Sequence, residues 1–208
     1  MKSKKRIAFV IGLLLMIGGC IPSLHPLYTK DDCVFDSNLL GDWEEDGNNN
    51  TWTFTKLEDD SYNLAYVEDS ILSDFYIHLV KLGDDMFIDF FPNSDDVNCN
   101  VNDFFQTHEI YVHSFGKITV NENEAEISLF DYGWIENLFK QHKIRIPHEV
   151  LKYPYDNKYP FDNDEQILLT ASTEELQAFV KKYADDENAF IEPTKLKRKK
   201  QLIERRSE

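Results

Sequence analysis

Positive charge is scarce in this chain. Its 208 residues hold 22 Lys+Arg against 38 Asp+Glu, a formal net charge of −16. That excludes the usual nucleic-acid binder, whose affinity rests on neutralising phosphates. Proline and glycine number only 7 and 8, too few for collagen-like or low-complexity chains. No apolar run reaches the ~20 residues that a membrane-spanning helix requires. The three cysteines form no CxxC, and the six histidines form no HxH, HExxH or HxxxH, so zinc-site spacing is missing. Also missing are Gly-x-Ser-x-Gly, the P-loop and GxGxxG. The acidic clusters Glu44-Glu45-Asp46 and Asp95-Asp96 lack EF-hand spacing and read as solvated loop carboxylates. No pair among the many carboxylates is singled out for acid–base work, so the expectation is a protein that is not an enzyme, with no metal and no cofactor. What the chain does have is aromatic mass, with 15 Phe, 10 Tyr and 3 Trp. A disordered acidic chain would not carry it.

The N-terminus differs from the rest. Lys2, Lys4, Lys5 and Arg6 precede the apolar run Ile7–Ile17. As a helix that run spans roughly 16 Å, about half the bilayer core, so residues 1–19 read as a signal peptide. The run ends at Ile17-Gly18-Gly19-Cys20, which resembles a bacterial lipobox. The resemblance implies cleavage before Cys20 and acylation of that cysteine, with the acyl chains making the membrane the protein's partner. Each buried methylene contributes ~0.8 kcal/mol, so two or three chains hold permanently. Ile21 rather than Asp follows Cys20. By the same resemblance the destination is the cell envelope, with the outer membrane favoured over the inner.

Removing residues 1–19 deletes four positive charges and no negative ones, taking the net charge from −16 to −20. Residues 20–38, with Pro22 and Pro26, read as a lipidated N-terminus and semi-rigid tether. The basic tail, residues 192–208, contains Lys195-Leu196-Lys197-Arg198-Lys199-Lys200. It is expected either as a helix folding back on its own acidic domain or as a contact for phosphates or an acidic partner. Cys33 and Cys99 remain after acylation, as a disulfide or as two thiols.

Residues 39–191 alternate with period two in several runs. Trp52 and Phe54 share one strand face, as do Tyr62, Leu64 and Tyr66. Phe75–Leu82 and Met86–Phe91 are apolar enough to be covered on both faces, and Gly83-Asp84-Asp85 between them signals a hairpin. Glu109–Val120 and Ala125–Phe130 form another pair, and Gln166–Ala171 a last strand. Two helices are expected: Trp134–His142, and one following the capping box Ser172-Thr173-Glu174-Glu175 with Leu176, Phe179, Val180 and Tyr183 on one face. Residues 152–164 read as a loop. The fold class is mainly β, with about eight antiparallel strands and two short helices.

Gly41-Asp42-Trp43 at the start of the first strand resembles the Gly-x-Trp signature of lipocalins and other calycins. The resemblance implies an antiparallel barrel whose base is closed by Trp43. A helix before the last strand departs from the usual lipocalin order. The wider pattern also resembles a group of bacterial lipoproteins without an established activity. The matching pieces are Pro26-Leu27-Tyr28, Leu39–Trp43, His78-Leu79-Val80, His113–Lys117 and Leu169–Leu176. The resemblance speaks to fold and address rather than chemistry.

Two functions compete. In one, Trp52, Phe54, Tyr62, Leu64 and Tyr66 line a cavity for a small apolar ligand, with His113 and Lys117 at a polar pocket mouth. His78 and His108 are read as structural. In the other, the same aromatics fill the barrel, and its surface or basic tail docks an envelope protein.

Overall fold

The computed structural model describes residues 20–57, 60–93, 110–152 and 165–200. Residues 1–19, Asp95, Asp96, Cys99, His108, Glu109 and nearly all of the expected 152–164 loop lie outside that set.

Seven strands run as a meander: β2 (Gly41–Glu45), β3 (Thr51–Lys56), β4 (Tyr62–Glu68), β5 (Ile71–Leu82), β6 (Asp85–Pro92), β7 (Ser114–Val120) and β8 (Glu124–Leu129). A short β1 (Cys33–Val34) pairs with the second half of β5. The chain then forms helix α1 (Tyr132–Lys140), a hairpin of β9 (His148–Lys152) and β10 (Glu165–Leu169), and helix α2 (Thr173–Tyr183). It returns as β11 (Thr194–Arg198), which pairs antiparallel with both β8 and β2. With β5 bonded to β6, the ring of β2 to β8 plus β11 is closed. The result is an eight-stranded antiparallel barrel of lipocalin-like architecture, and closure leaves it no open edge.

Local chemistry sets the corners. Gly83, at φ +69°, turns β5 into β6, and the Asp69–Ser70 turn of β4–β5 has both residues at positive φ, as a two-residue hairpin requires. Helix α2 opens with the complete capping box of Ser172 and Glu175. Helix α1 is capped by the Asp131 side chain, which accepts from Trp134 N–H.

Two corrections concern the barrel's last strand and its basic tail. Gln166–Ala171 was expected as the last strand, but β10 belongs to a separate two-stranded hairpin. The strand that closes the ring comes from the basic tail, Thr194–Arg198, which is neither a helix nor outside the barrel. Lys195, Lys197 and Lys199 point outward to Glu126 (3.6 Å), Asp46 (3.0 Å) and Glu44 (3.2 Å), while Leu196 is buried in the barrel. Each exposed pair is worth ~0–1 kcal/mol. Together they set a basic strand between two acidic ones.

Two cores follow from period-two alternation. Inside the ring lie Trp43, Phe54, Leu64, Ile77, Leu79, Ile88 and Ile118, among others. Outside it, Val80, Leu82, Phe87 and Phe115 are covered by Ile21, Leu27, α1, α2 and β10. This explains why Phe75–Leu82 and Met86–Phe91 read as covered on both faces. The N-terminal segment is correspondingly no tether: Ile21, Ser23 and Leu27 are buried against the barrel. Ser23 exchanges both backbone hydrogen bonds with His113, at 2.8 Å each.

β7 and β8 pack closely at Gly116, where an added Cβ would stand 2.4 Å from the Ser128 carbonyl oxygen. That neighbour is backbone and cannot step aside. Gly116→Ala should therefore cost ~1–3 kcal/mol, the usual range for overpacking, measured as a lower urea midpoint. An unchanged midpoint would mean that the two strands separate freely there.

Candidate functional site

One end of the barrel is sealed. The 3-10 turn Ser37–Leu39 tucks Leu39 beneath the strands, and the Trp43 indole N–H donates to the Leu39 carbonyl at 2.9 Å. Arg198 lies over the Trp43 ring, 4.2 Å from its centroid. Its guanidinium donates to the carbonyls of Leu40 (2.6 Å), Asn38 and Glu122. Gly41 has φ +107°, and a Cβ there would sit 3.0 Å from Arg198 Nη1. The Gly-x-Trp signature thus has a local cause: the glycine makes room for the arginine that stacks on the tryptophan.

The six expected lining residues do not form one pocket. Phe54, Tyr62 and Leu64 are buried members of the barrel core. Tyr62 reaches the sealed end, where its hydroxyl accepts from Asp36 N–H (2.7 Å) and donates to the Asp36 carbonyl (3.1 Å). Burial pushes its phenol up to about 12. Trp52 and Tyr66 sit at the opposite end, half-buried, with ring centroids 4.8 Å apart. There Asn50 donates to Glu45 Oε2 and to the Tyr66 hydroxyl, both at 3.1 Å. Burial first, and then the charges of Glu68 and Glu45, raise the Tyr66 phenol above its ordinary value. The Trp52 indole N–H is buried and has no hydrogen-bond partner among the described residues.

His113 is the correction to the lining set. It faces outward from the barrel, away from the other five, and lies beneath the N-terminal segment. Its Nδ1 is 2.7 Å from Oδ1 of Asp89, a fully buried carboxylate whose Oδ2 accepts from Leu27 N–H at 2.8 Å. With Asp89 ionised, the proton sits on His113 Nδ1. Tyr28 stacks on His78 at 3.8 Å and meets His113 edge-on, while Phe91 packs on the other side of His113. Lys117 shares the outward face but belongs elsewhere. It pairs with Asp85 (2.7 Å), donates to the Ala184 carbonyl, and borders an open groove of about 670 Å³ beside the α2–β11 connection.

Asp89, Tyr28 and Arg198 were not singled out from sequence. Asp89 did leave a signal, as the one charge inside Met86-Phe87-Ile88-Asp89-Phe90-Phe91. A lone carboxylate in a strand buried on both faces must find partners.

Cys20 lies against the body. Burial raises its thiol above the ordinary value, an effect that the Ser114 side chain at the start of β7 partly offsets. Cys33 donates to the Thr29 carbonyl at 3.3 Å. Among the described residues, no three His, Cys, Asp or Glu side chains are grouped to hold a metal ion, and no helix is long and apolar enough to cross a membrane. No protein-family model, curated protein or solved structure matches the chain. The class is therefore defined by architecture alone, as a closed, lipocalin-like β-barrel with two helices packed on its outer face.

Proposed function

We propose that this protein is a lipid-anchored module of the bacterial cell envelope, and that its barrel is a packed scaffold which acts through its surface. The observation that carries this reading is the interior. Trp43, Phe54, Leu64, Ile77, Leu79 and Ile88 are each at most 1% exposed and occupy the space that a carrier would leave for its ligand. The anchor rests on the lipobox-like Ile17–Cys20. A docked N-terminal segment suits it, because a barrel fastened at residue 21 sits directly on the bilayer. The acidic surface suits a role that avoids anionic headgroups and nucleic acid.

A carrier reading draws on one specific feature, the half-buried Trp52–Tyr66 mouth with its unsatisfied indole N–H. A small molecule with an acceptor group would fit there better than a long apolar chain.

Native mass spectrometry of the full chain, extracted gently from a bacterial envelope, tests both readings. The expected mass is that of a chain starting at an acylated Cys20 with nothing else retained. The Cys20→Ser variant should give the uncleaved, unacylated precursor. Equal acylation of that variant would sink the anchor, and a retained small molecule would restore the carrier.

A further inference from the structure

The two ends of the barrel differ in chemistry. At the sealed end the turns are Gly83–Asp84 and Asn121-Glu122-Asn123, beside Asp60 and Lys199, all polar. At the other end the strand register brings together the β4–β5 hairpin, the segment leading into β7, and the N-terminal segment that bridges to His113. Beside the polar turn of residues 46–50 between β2 and β3, this end carries on its other side Ile71 (69% exposed), Leu72 (57%), Ile110 (73%), Tyr111 (38%) and Leu24 (41%). Among the described residues, the remaining large exposed hydrophobics are Val150 and Leu151 on the separate hairpin. Cys20 lies three residues before Ser23, whose backbone bridges to His113 at the start of β7 on this same side.

We propose that the apolar side of this end is a membrane-docking rim, with Ile71, Leu72, Ile110, Tyr111 and Leu24 entering the bilayer interface and setting the barrel's orientation on the membrane. The proposal rests on the anchored reading of Cys20 and extends it from attachment to orientation. Exposed apolar side chains clustered at one end mark an interaction surface, and the position of Cys20 favours lipid over a second protein. With Ser23 fastened to His113, acyl chains on Cys20 leave the protein close to the rim. Tyr111 has the amphipathic ring suited to the headgroup level. Glu68 and Asp69 flank Ile71 and Leu72, so insertion is shallow and prefers zwitterionic headgroups.

The test uses the full chain in a Cys33→Ser, Cys99→Ser background, with one nitroxide label per variant at Ile71→Cys, Ile110→Cys, Asp84→Cys or Glu122→Cys. All four positions lie in turns, at a strand end or before a strand. Each protein is recovered from cells, checked by mass for acyl groups, and placed in phosphatidylethanolamine–phosphatidylcholine vesicles. Oxygen, which concentrates in lipid, and a nickel chelate, which stays in water, then compete to relax the label. The expected result is an oxygen-to-nickel ratio several-fold higher at 71 and 110 than at 84 and 122. Equal ratios on acylated protein would overturn the rim and leave the anchor standing. Low access of both reagents at 71 and 110 would mean a covering protein or second copy, and also overturns it. A mass without acyl groups defeats the anchored reading and the rim with it.

Discussion

Asp89→Ala should lower stability by ~3 kcal/mol or more, from two buried hydrogen bonds to a carboxylate at ~1.5–3 kcal/mol each, with a matching fall in the urea midpoint. Asp89 is fully buried on the outward face of β6, and both carboxylate oxygens are engaged, by Leu27 N–H and by His113 Nδ1. Removing the side chain strands two buried donors at once. The damage should be directional, because Leu27 is the residue that pins the N-terminal segment over Val80 and Phe87. Hydrogen exchange at the Leu27 and Ser23 amides should accelerate more than exchange inside the ring. Asp89→Asn should be far milder. Its amide oxygen still accepts from Leu27, and its NH2 donates to His113 once the imidazole proton moves to Nε2. His113→Ala leaves a buried carboxylate with one donor, so combining it with Asp89→Ala should cost much less than the sum of the two. Equal losses for the Ala and Asn variants would show that volume, rather than the hydrogen bonds, holds the segment down.

The parts of the fold that sequence makes legible are those whose apolar pattern is uninterrupted. Thr51–Lys56 alternates, Tyr62–Glu68 sets its large apolar residues at even positions, and both are strands, while the Ser172–Glu175 box opens a helix as its chemistry demands. The N-terminal segment was harder to read. Two prolines suggest a free tether, yet the prolines leave Ser23 and Leu27 able to donate backbone hydrogen bonds to partners 90 and 62 residues away. Such partners have no local signature. In the candidate lining set only His113 faces away from the interior. Trp52, Phe54, Tyr62, Leu64 and Tyr66 do share the inward face, as alternation says, but parity along a strand does not tell filling from lining. His113 lies on the other face because Phe90 pairs with Ser114, which sets β7's even positions inward and its odd ones outward. That register depends on residues far away in sequence.

Stopping the chain after Pro193 should abolish cooperative folding, and the reason lies in a strand that looks like a tail. Lys195-Leu196-Lys197-Arg198-Lys199 carries one apolar residue, so hydrophobic periodicity passes over it. Its alternation is nonetheless intact, with lysines outward against the acidic rows of β2 and β8, and Leu196 and Arg198 inward. Without β11, the edges of β2 and β8 lose their paired backbone groups and the interior opens beside Trp43. The shortened protein should aggregate or show a broad, non-cooperative urea transition in circular dichroism. Arg198→Ala isolates the sealed end from closure itself. It keeps β11 but removes the guanidinium from Trp43 and from the carbonyls of Asn38, Leu40 and Glu122. The expected loss is ~2–4 kcal/mol, from charge-assisted bonds at ~1.5–3 kcal/mol each, partly offset by water at the rim, and a cation–π contact of ~0.5–2 kcal/mol. Arg198→Lys should recover only part of it, since a single ammonium cannot reach three divergent carbonyls while lying flat on the indole. If Lys restored full stability, charge near the turn would be all that matters. Full, cooperative folding of the chain ended at Pro193 would mean that the seven-strand meander closes without its eighth member.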